Sequence, residues 1–229
     1  MTLHTRQSAT VGRIAGEIVI VVIGILIAFA LDAAWERRSA RAEEHAHLRA
    51  LASDFQENVS RLEQHIRQEE SISAASREML ELAQRPGDTT GEAAGSLMGR
   101  VFNSGRYEPV MGAYEALVNS AGLTVIQDDS LRASLADFSA RVSARYAERY
   151  SDELYFAFIR EFSGQLGFAE ASTAKGFDSQ QLNGLLRNPK FRDYLALRYL
   201  SERDVARRYQ ELRTVAQAVL SRINSELGS

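Results

Sequence analysis

From Ile25 to Arg85 the chain contains neither glycine nor proline. Sixty-one consecutive residues without a breaker, rich in Ala, Glu, Arg and Leu, predict one continuous helix, since these side chains lose little rotamer freedom in that conformation. At 1.5 Å per residue such a helix is about 90 Å long, so it dictates an elongated architecture with other segments lying alongside. Its start overlaps a second constraint. Residues 14–31 are 18 residues whose only charge is Glu17. As a helix they span about 27 Å, close to the ~30 Å hydrocarbon core of a bilayer. A helix inside a globular domain is rarely apolar all round over about five turns, so this stretch predicts a single transmembrane helix. Trp35 suits the membrane interface, and Arg37, Arg38 and Arg41 stand within reach of lipid phosphates. The competing reading is a cleaved signal peptide with Ala28-Phe29-Ala30 at its end. The apolar run is longer than the usual ~7–15 residues and carries an acid, which favours a retained anchor.

Beyond the anchor, Leu48, Leu51, Phe55, Val59, Leu62 and Ile66 recur at steps of three or four, one apolar stripe along the helix. Pro86-Gly87 ends it. Glycines at 87, 91, 95, 99 and 105 make 86–106 a loop enclosing at most a short helix. Pro109 suits the first turn of a helix ending near Gly122, and 123–126 is a brief connector. Asp128 and Asp129 offer caps for a helix running to about Phe162, with Leu131, Leu135, Phe138, Val142, Tyr146 and Leu154 inward. A short helix is expected after Asp178. Asn188-Pro189 supplies the cap and first turn of a last helix to Leu227, whose seam is Val205, Tyr209, Leu212, Ala216, Val219 and Ile223. No stretch alternates as a strand does. The expected fold is all-α: an N-terminal tail (1–13), a transmembrane helix (14–31), a long stalk helix (32–85), and a remainder (86–229) that packs back on the stalk as an up-down bundle of about three long helices. Residues 37–47 offer only alanines inward and look under-covered.

Three segments carry a family likeness. Gly16-Glu17-Ile18-Val19-Ile20-Val21-Val22-Ile23-Gly24-Ile25-Leu26-Ile27-Ala28, followed by Trp35-Glu36, resembles the N-terminal hallmark of an uncharacterised family of bacterial single-pass membrane proteins. Gly112-Ala113-Tyr114-Glu115-Ala116-Leu117-Val118-Asn119-Ser120-Ala121-Gly122-Leu123 and Asn188-Pro189-Lys190-Phe191-Arg192 are similar to later parts of it. The N-terminus here is short and weakly basic where relatives often carry a longer Lys/Arg-rich one, and Asp32-Ala33-Ala34 stands where many have asparagines. The resemblance implies location and a helical build, with no activity attached.

The chemistry-bearing residues are sparse. With no cysteine there is no disulfide, thiolate metal site or Cys nucleophile, and four histidines are too few for a rich metal site. A net charge of −3 gives no basic excess for nucleic acid. Glu44-His45-Ala46-His47 holds a single Glu-x-x-His step, whereas di-iron bundles need two such steps and two more glutamates, so a solvated face is expected. All histidines lie in the first 65 residues, away from any hydrolase nucleophile farther along. The glycines at four-residue steps lack the Lys-Ser/Thr of a P-loop and fit a mobile loop or close helix packing. The aromatic run at 155–162 reads as bundle core, with a docking surface as the alternative. Arg203, Arg207, Arg208 and Arg213, interleaved with Glu202, Asp204 and Glu211, read as a solvated face. No catalytic residue, metal site or cofactor is expected.

Glu17 either pairs with Arg13 one turn away or meets a polar group on another transmembrane helix. Gly24 and Ala28 are small residues that permit close approach, so Glu17, Gly24 and Ala28 form a candidate membrane helix-contact face. Together these features predict a non-enzymatic, single-pass protein of the bacterial inner membrane, whose helical domain acts as scaffold or accessory subunit through protein contacts or homo-oligomerisation. The alternative is a ligand-sensing bundle without its own output domain. A cavity between the long helices lined by convergent polar groups would favour sensing; a dry core with an exposed apolar face would favour the scaffold. Counting only Lys and Arg around the anchor favours a cytoplasmic bundle, and counting net charge favours the reverse. The acid-free basic N-terminal flank tips the expectation toward a periplasmic bundle.

Overall fold

The computed structural model describes residues 5–84, 92–120, 122–144, 146–165 and 179–228, with side chains described from Val21 onward except at 92–93, 146–147 and 179. All elements among the described residues are helical. Helix α1 is Thr5–Ala83, α2 Glu92–Val101, α3 Gly112–Ser120, α4 Asp129–Ser143, α5 Tyr146–Phe162, α6 Ser179–Arg187 and α7 Pro189–Gly228, with 3-10 turns at Leu123–Val125 and Ser163–Gln165.

The breaker-free run is one helix of 79 residues, about 120 Å at the usual rise. It includes residues 5–13, ahead of the apolar segment. The next longest helix, α7, has 40 residues. The two run antiparallel: His65 meets Tyr209 edge-on at 6.1 Å, while farther along α1 the Ser73 hydroxyl donates to the Tyr199 carbonyl at 3.1 Å. Asn188 caps α7 as its sequence predicts, its Oδ1 accepting the Lys190 N–H at 3.0 Å.

Among the described residues only two helices of the bundle are long. The helix expected over 129–162 is interrupted after Ser143, at Ala144, whose N–H returns to the Arg141 carbonyl. No glycine or proline stands there. The cause is the phase of the apolar positions. From Val142 to Phe158 a straight helix turns through about 1600°, leaving those side chains about 160° apart. Yet both must face inward. Leu131, Leu135 and Phe138 of α4 belong to one core cluster, with Leu48, Leu51, Phe55, Leu62 and Ile223. Phe158 and Phe162 of α5 belong to a second, with Met79, Leu97, Leu185 and Phe191. The break lets each half turn its own face to the core. Tyr146, expected inward, lies outside the residues whose side chains are described.

Helix α3 starts at Gly112, not at Pro109, because α1 takes the intervening backbone. Asn58 is completely buried and clasps Val110, its Oδ1 accepting the Val110 N–H and its Nδ2 donating to the Val110 carbonyl, both at 2.8 Å. Asp54 then caps α3 across the interface, accepting the Ala113 N–H at 2.7 Å. With its backbone bonded outward, Val110 cannot join a helical ladder. Gly95 and Gly99 lie within α2, and a Cβ at either would meet nothing within 4 Å, so close packing is not their role; Gly87 and Gly91 lie outside the described residues.

The under-covered end of the bundle is as expected, but the inward residue differs. Residues 21–43 are all exposed, as are Ala42 and Ala46. Glu44 is the side chain that turns in, accepting the Gln127 N–H at 2.7 Å just ahead of α4. It lies one turn before Leu48 on the apolar stripe, which carries it to the core face. It is therefore not part of a solvated Glu-x-x-His face.

Candidate functional site

The two core clusters are separated by a layer of buried polar groups where α1, α5 and α7 meet. Position on a seam puts them there. Glu202 and Arg198 continue the Val205–Tyr209 phase of α7 toward its start, and Glu69 continues the Leu62–Ile66 stripe of α1. Arg198 and Glu202 are each only 2% exposed and pair at 2.6 Å. Glu202, expected on a solvated face, is thus a core residue. Arg198 also donates to the Asn103 carbonyl at 2.8 Å and lies over the Tyr155 ring at 5.4 Å. The Ser151 hydroxyl, from α5, donates to Glu202 at 2.5 Å. The arginine Nε and the buried Tyr194 hydroxyl have no partner among the described residues.

Glu69 completes the layer. Burial raises its pKa, the hydrogen bond with Glu202 and the negative charge of Glu202 raise it further, and Arg198 opposes them; the outcome is a value of about 9. Glu69 therefore holds its proton at neutral pH. Burial likewise pushes the Tyr194 and Tyr209 hydroxyls upward, keeping both neutral. Because the Glu69 pKa is raised on folding, the folded state binds a proton that the unfolded chain releases above its ordinary carboxylate range. Stability therefore falls as pH rises from the ordinary carboxylate range through the window up to about 9. Glu69→Gln should abolish that slope and make the protein more stable than wild type at pH 8. Thermal melts of both proteins between pH 6 and 9 test this, and parallel slopes would contradict it.

As a reaction centre the layer offers little. The cavity at its edge is about 20 Å³, room for a water molecule and not for a metabolite. Arg106 and Asp152 pair across its rim at 2.5 Å. Ser151 gives its proton to a carboxylate that Arg198 already holds, so it lacks the activating base of a nucleophilic serine. The aromatic run is core on one face only: Phe158 and Phe162 are buried, as the core reading has it, whereas Phe156 is exposed. Among the described residues no three His, Asp or Glu side chains converge as a metal site would require.

The open surface lies elsewhere. On one side of the α1–α7 pair runs a groove of about 650 Å³, every lining residue belonging to α1 or α7. Its walls are helical faces: Glu70, Ala74 and Arg77 on α1, and Leu200, Arg203 and Arg207 on α7. Leu200 is 51% exposed and Leu197 beside it 43%. Arg207 and Arg208 share Asp204, and Arg207 also bonds Glu211 at 2.7 Å. Arg203 differs. It reaches the Tyr199 hydroxyl at 3.3 Å, stacks on that ring, and has no carboxylate partner among the described residues.

Of the expected membrane contact face, Gly24 and Ala28 lie on an exposed helix one turn apart, with open space where a Cβ on Gly24 would stand. The side chain of Glu17 lies outside the described residues. Among those residues no helix is long and apolar enough to cross a membrane; of the 14–31 segment, only the part from Val21 has described side chains.

A model of one protein family matches residues 17–184, well over half of the chain. The chain belongs to this family of unknown function, DUF6090. The DUF6090 match takes in Glu17, Gly24, Ala28, Glu69 and Ser151, and ends within α6. Arg198, Glu202 and the α7 wall of the groove lie beyond it. No curated protein and no solved structure matches the chain.

Proposed function

We propose that this chain is a single-pass, membrane-anchored helical protein that works without catalysis, as a scaffold or accessory subunit, through protein contacts. One observation carries the reading. From Val21 to Leu31 the helix exposes eight large apolar side chains, and Trp35 beyond them is 76% exposed, with no described segment of the chain laid against any of them. Apolar surface of that extent on all sides of a helix is stable only when lipid or other helices remove it from water. Residues 14–20 continue the same apolar composition on an unbroken helix, giving a length that matches a bilayer.

The alternative of a ligand-sensing bundle needs a cavity among the convergent polar groups, and the one at the Arg198 layer holds a water at most. The exposed groove lined by Leu200 fits the scaffold reading instead. Glu17, Gly24 and Ala28 are assigned to a helix-contact face within the membrane, the lipid bilayer and a partner helix being their surroundings. The anchor belongs to a bacterial inner membrane. The bundle is assigned to the periplasm, because the basic N-terminal flank holds Arg6 and Arg13 without an acid.

Full-length protein expressed in a bacterium and washed at alkaline pH tests the anchor. It should stay in the membrane pellet, and a variant lacking residues 14–31 should move to the supernatant. Wild-type protein recovered in the wash would sink the reading. Reporter fusions at Ser229 test orientation: an active periplasmic reporter is expected, and an active cytoplasmic one reverses the topology.

A further inference from the structure

We propose that the open α1–α7 groove is the seat of a second copy of this chain, packed about a two-fold axis parallel to the long helices. The inference rests on the membrane-anchor reading, which decides the axis. An isologous contact between two antiparallel helix pairs can have its two-fold along the helices or across them. An axis across the helices would send the two N-terminal segments to opposite ends of the dimer, and one membrane could not hold both. An axis along them keeps both anchors on one side. It sets α1 of each copy against α7 of the other at unchanged height, as in a four-helix bundle.

The residues at matching heights are complementary. Ser73 lies level with Tyr199, to whose carbonyl it is bonded. Three residues back on α1 is Glu70, and four residues on along α7 is Arg203; since the helices are antiparallel, these two are also level. Across the two-fold, Glu70 of each copy therefore faces Arg203 of the other, the arginine that lacks a carboxylate partner among the described residues of its own chain. Leu200 stands within about 3 Å of the height of Ala74, so the exposed leucine is set close to a small residue. Both contacts occur twice. The groove floor, with Ser73 and Ala206, is shallow in side chains and admits a helix closely. Like charges do not oppose at these positions, which a heterologous sliding contact would not guarantee.

The absence of cysteine makes the test direct, because introduced thiols have no native competitor. Two differently tagged full-length copies are co-expressed, one carrying Ala74→Cys and the other Leu200→Cys, and membranes are oxidised. Both positions are exposed, so neither change disturbs the core. A mixed disulfide is expected as the main cross-linked product. Ala74→Cys with itself and Leu200→Cys with itself should cross-link several-fold less, because the two-fold places like helices diagonally. Glu70→Arg in both copies, or Arg203→Glu in both copies, should lower the mixed product several-fold, and combining the two exchanges should restore it. Copies that resist the alkaline wash yet give no mixed disulfide overturn the dimer and leave the anchor standing. Copies released by the wash overturn the anchor, and with it the choice of axis. Predominant like-with-like cross-links, or capture of a different protein at Ala74→Cys in place of the mixed dimer, also overturn the proposal.

Discussion

Leu62→Asp is expected to unfold the entire bundle. Leu62 is fully buried in the cluster that joins α1 to α4 and α7. Truncating a leucine at such a site costs about 2–5 kcal/mol through lost transfer energy and the cavity left behind. A carboxylate there adds the cost of an ion out of water with no partner, several kcal/mol more. Together these approach the whole stability of a domain, about 5–15 kcal/mol. Because both long helices share this cluster, the loss cannot be confined to one of them. Ala42→Asp and Ala46→Asp, on exposed turns of the same helix, should shift stability by no more than about 0.5 kcal/mol. Thermal unfolding of the full-length chain in detergent micelles, followed by helical circular dichroism, compares them. A Leu62→Asp melt that overlays wild type would mean the two helices do not pack as described.

Glu202→Leu is the second large effect, and it separates a buried ion pair from ordinary packing. Removing this carboxylate leaves Arg198, itself 2% exposed, with no counter-ion. It also strips Ser151 of its acceptor and Glu69 of its hydrogen-bond partner. Breaking one side of a buried pair costs about 3–5 kcal/mol, which for a bundle of this size lowers the melting temperature by roughly 6–20 °C. Replacing both, as Arg198→Met with Glu202→Leu, should recover most of the loss, since neither charge is then stranded. If the double variant melts no higher than Glu202→Leu alone, the penalty lies in packing and not in the uncompensated guanidinium.

Much of the backbone was legible from residue patterns. The long helix followed from the run between Ile25 and Arg85, the Asn188-Pro189 start from its cap, and the α7 seam from its spacing, each residue of which is buried. The polar layer was legible in the same way but only if the seams are continued past their last apolar residue. Glu44, Asn58 and Glu69 lie on the α1 stripe, and Arg198 and Glu202 on the α7 seam. A charged residue in phase with a core stripe is forced inward by the helix it belongs to, whatever its own hydration prefers. Reading Glu202 with the arginines that follow it in sequence, and not with Val205 and Tyr209, assigned it to solvent.

The amino-acid sequence by itself determined what is local: where the chain is helical, which face of each helix is apolar, and where the apolar segment lies that calls for lipid. Those follow from propensity and periodicity, which act over a few residues. Only tertiary structure decided the rest. The break after Ser143 has no breaker residue, and arises because one continuous helix cannot present Phe138 and Phe158 to the core together. Asn58 and Asp54 postpone α3 to Gly112 by capturing backbone groups more than 50 residues away in sequence. The pKa of Glu69 is raised because two helices far apart in the chain bring its carboxyl and that of Glu202 into one buried layer. Hydrogen bonds and desolvation depend on what stands within a few ångströms, and for these groups that neighbour comes from another helix.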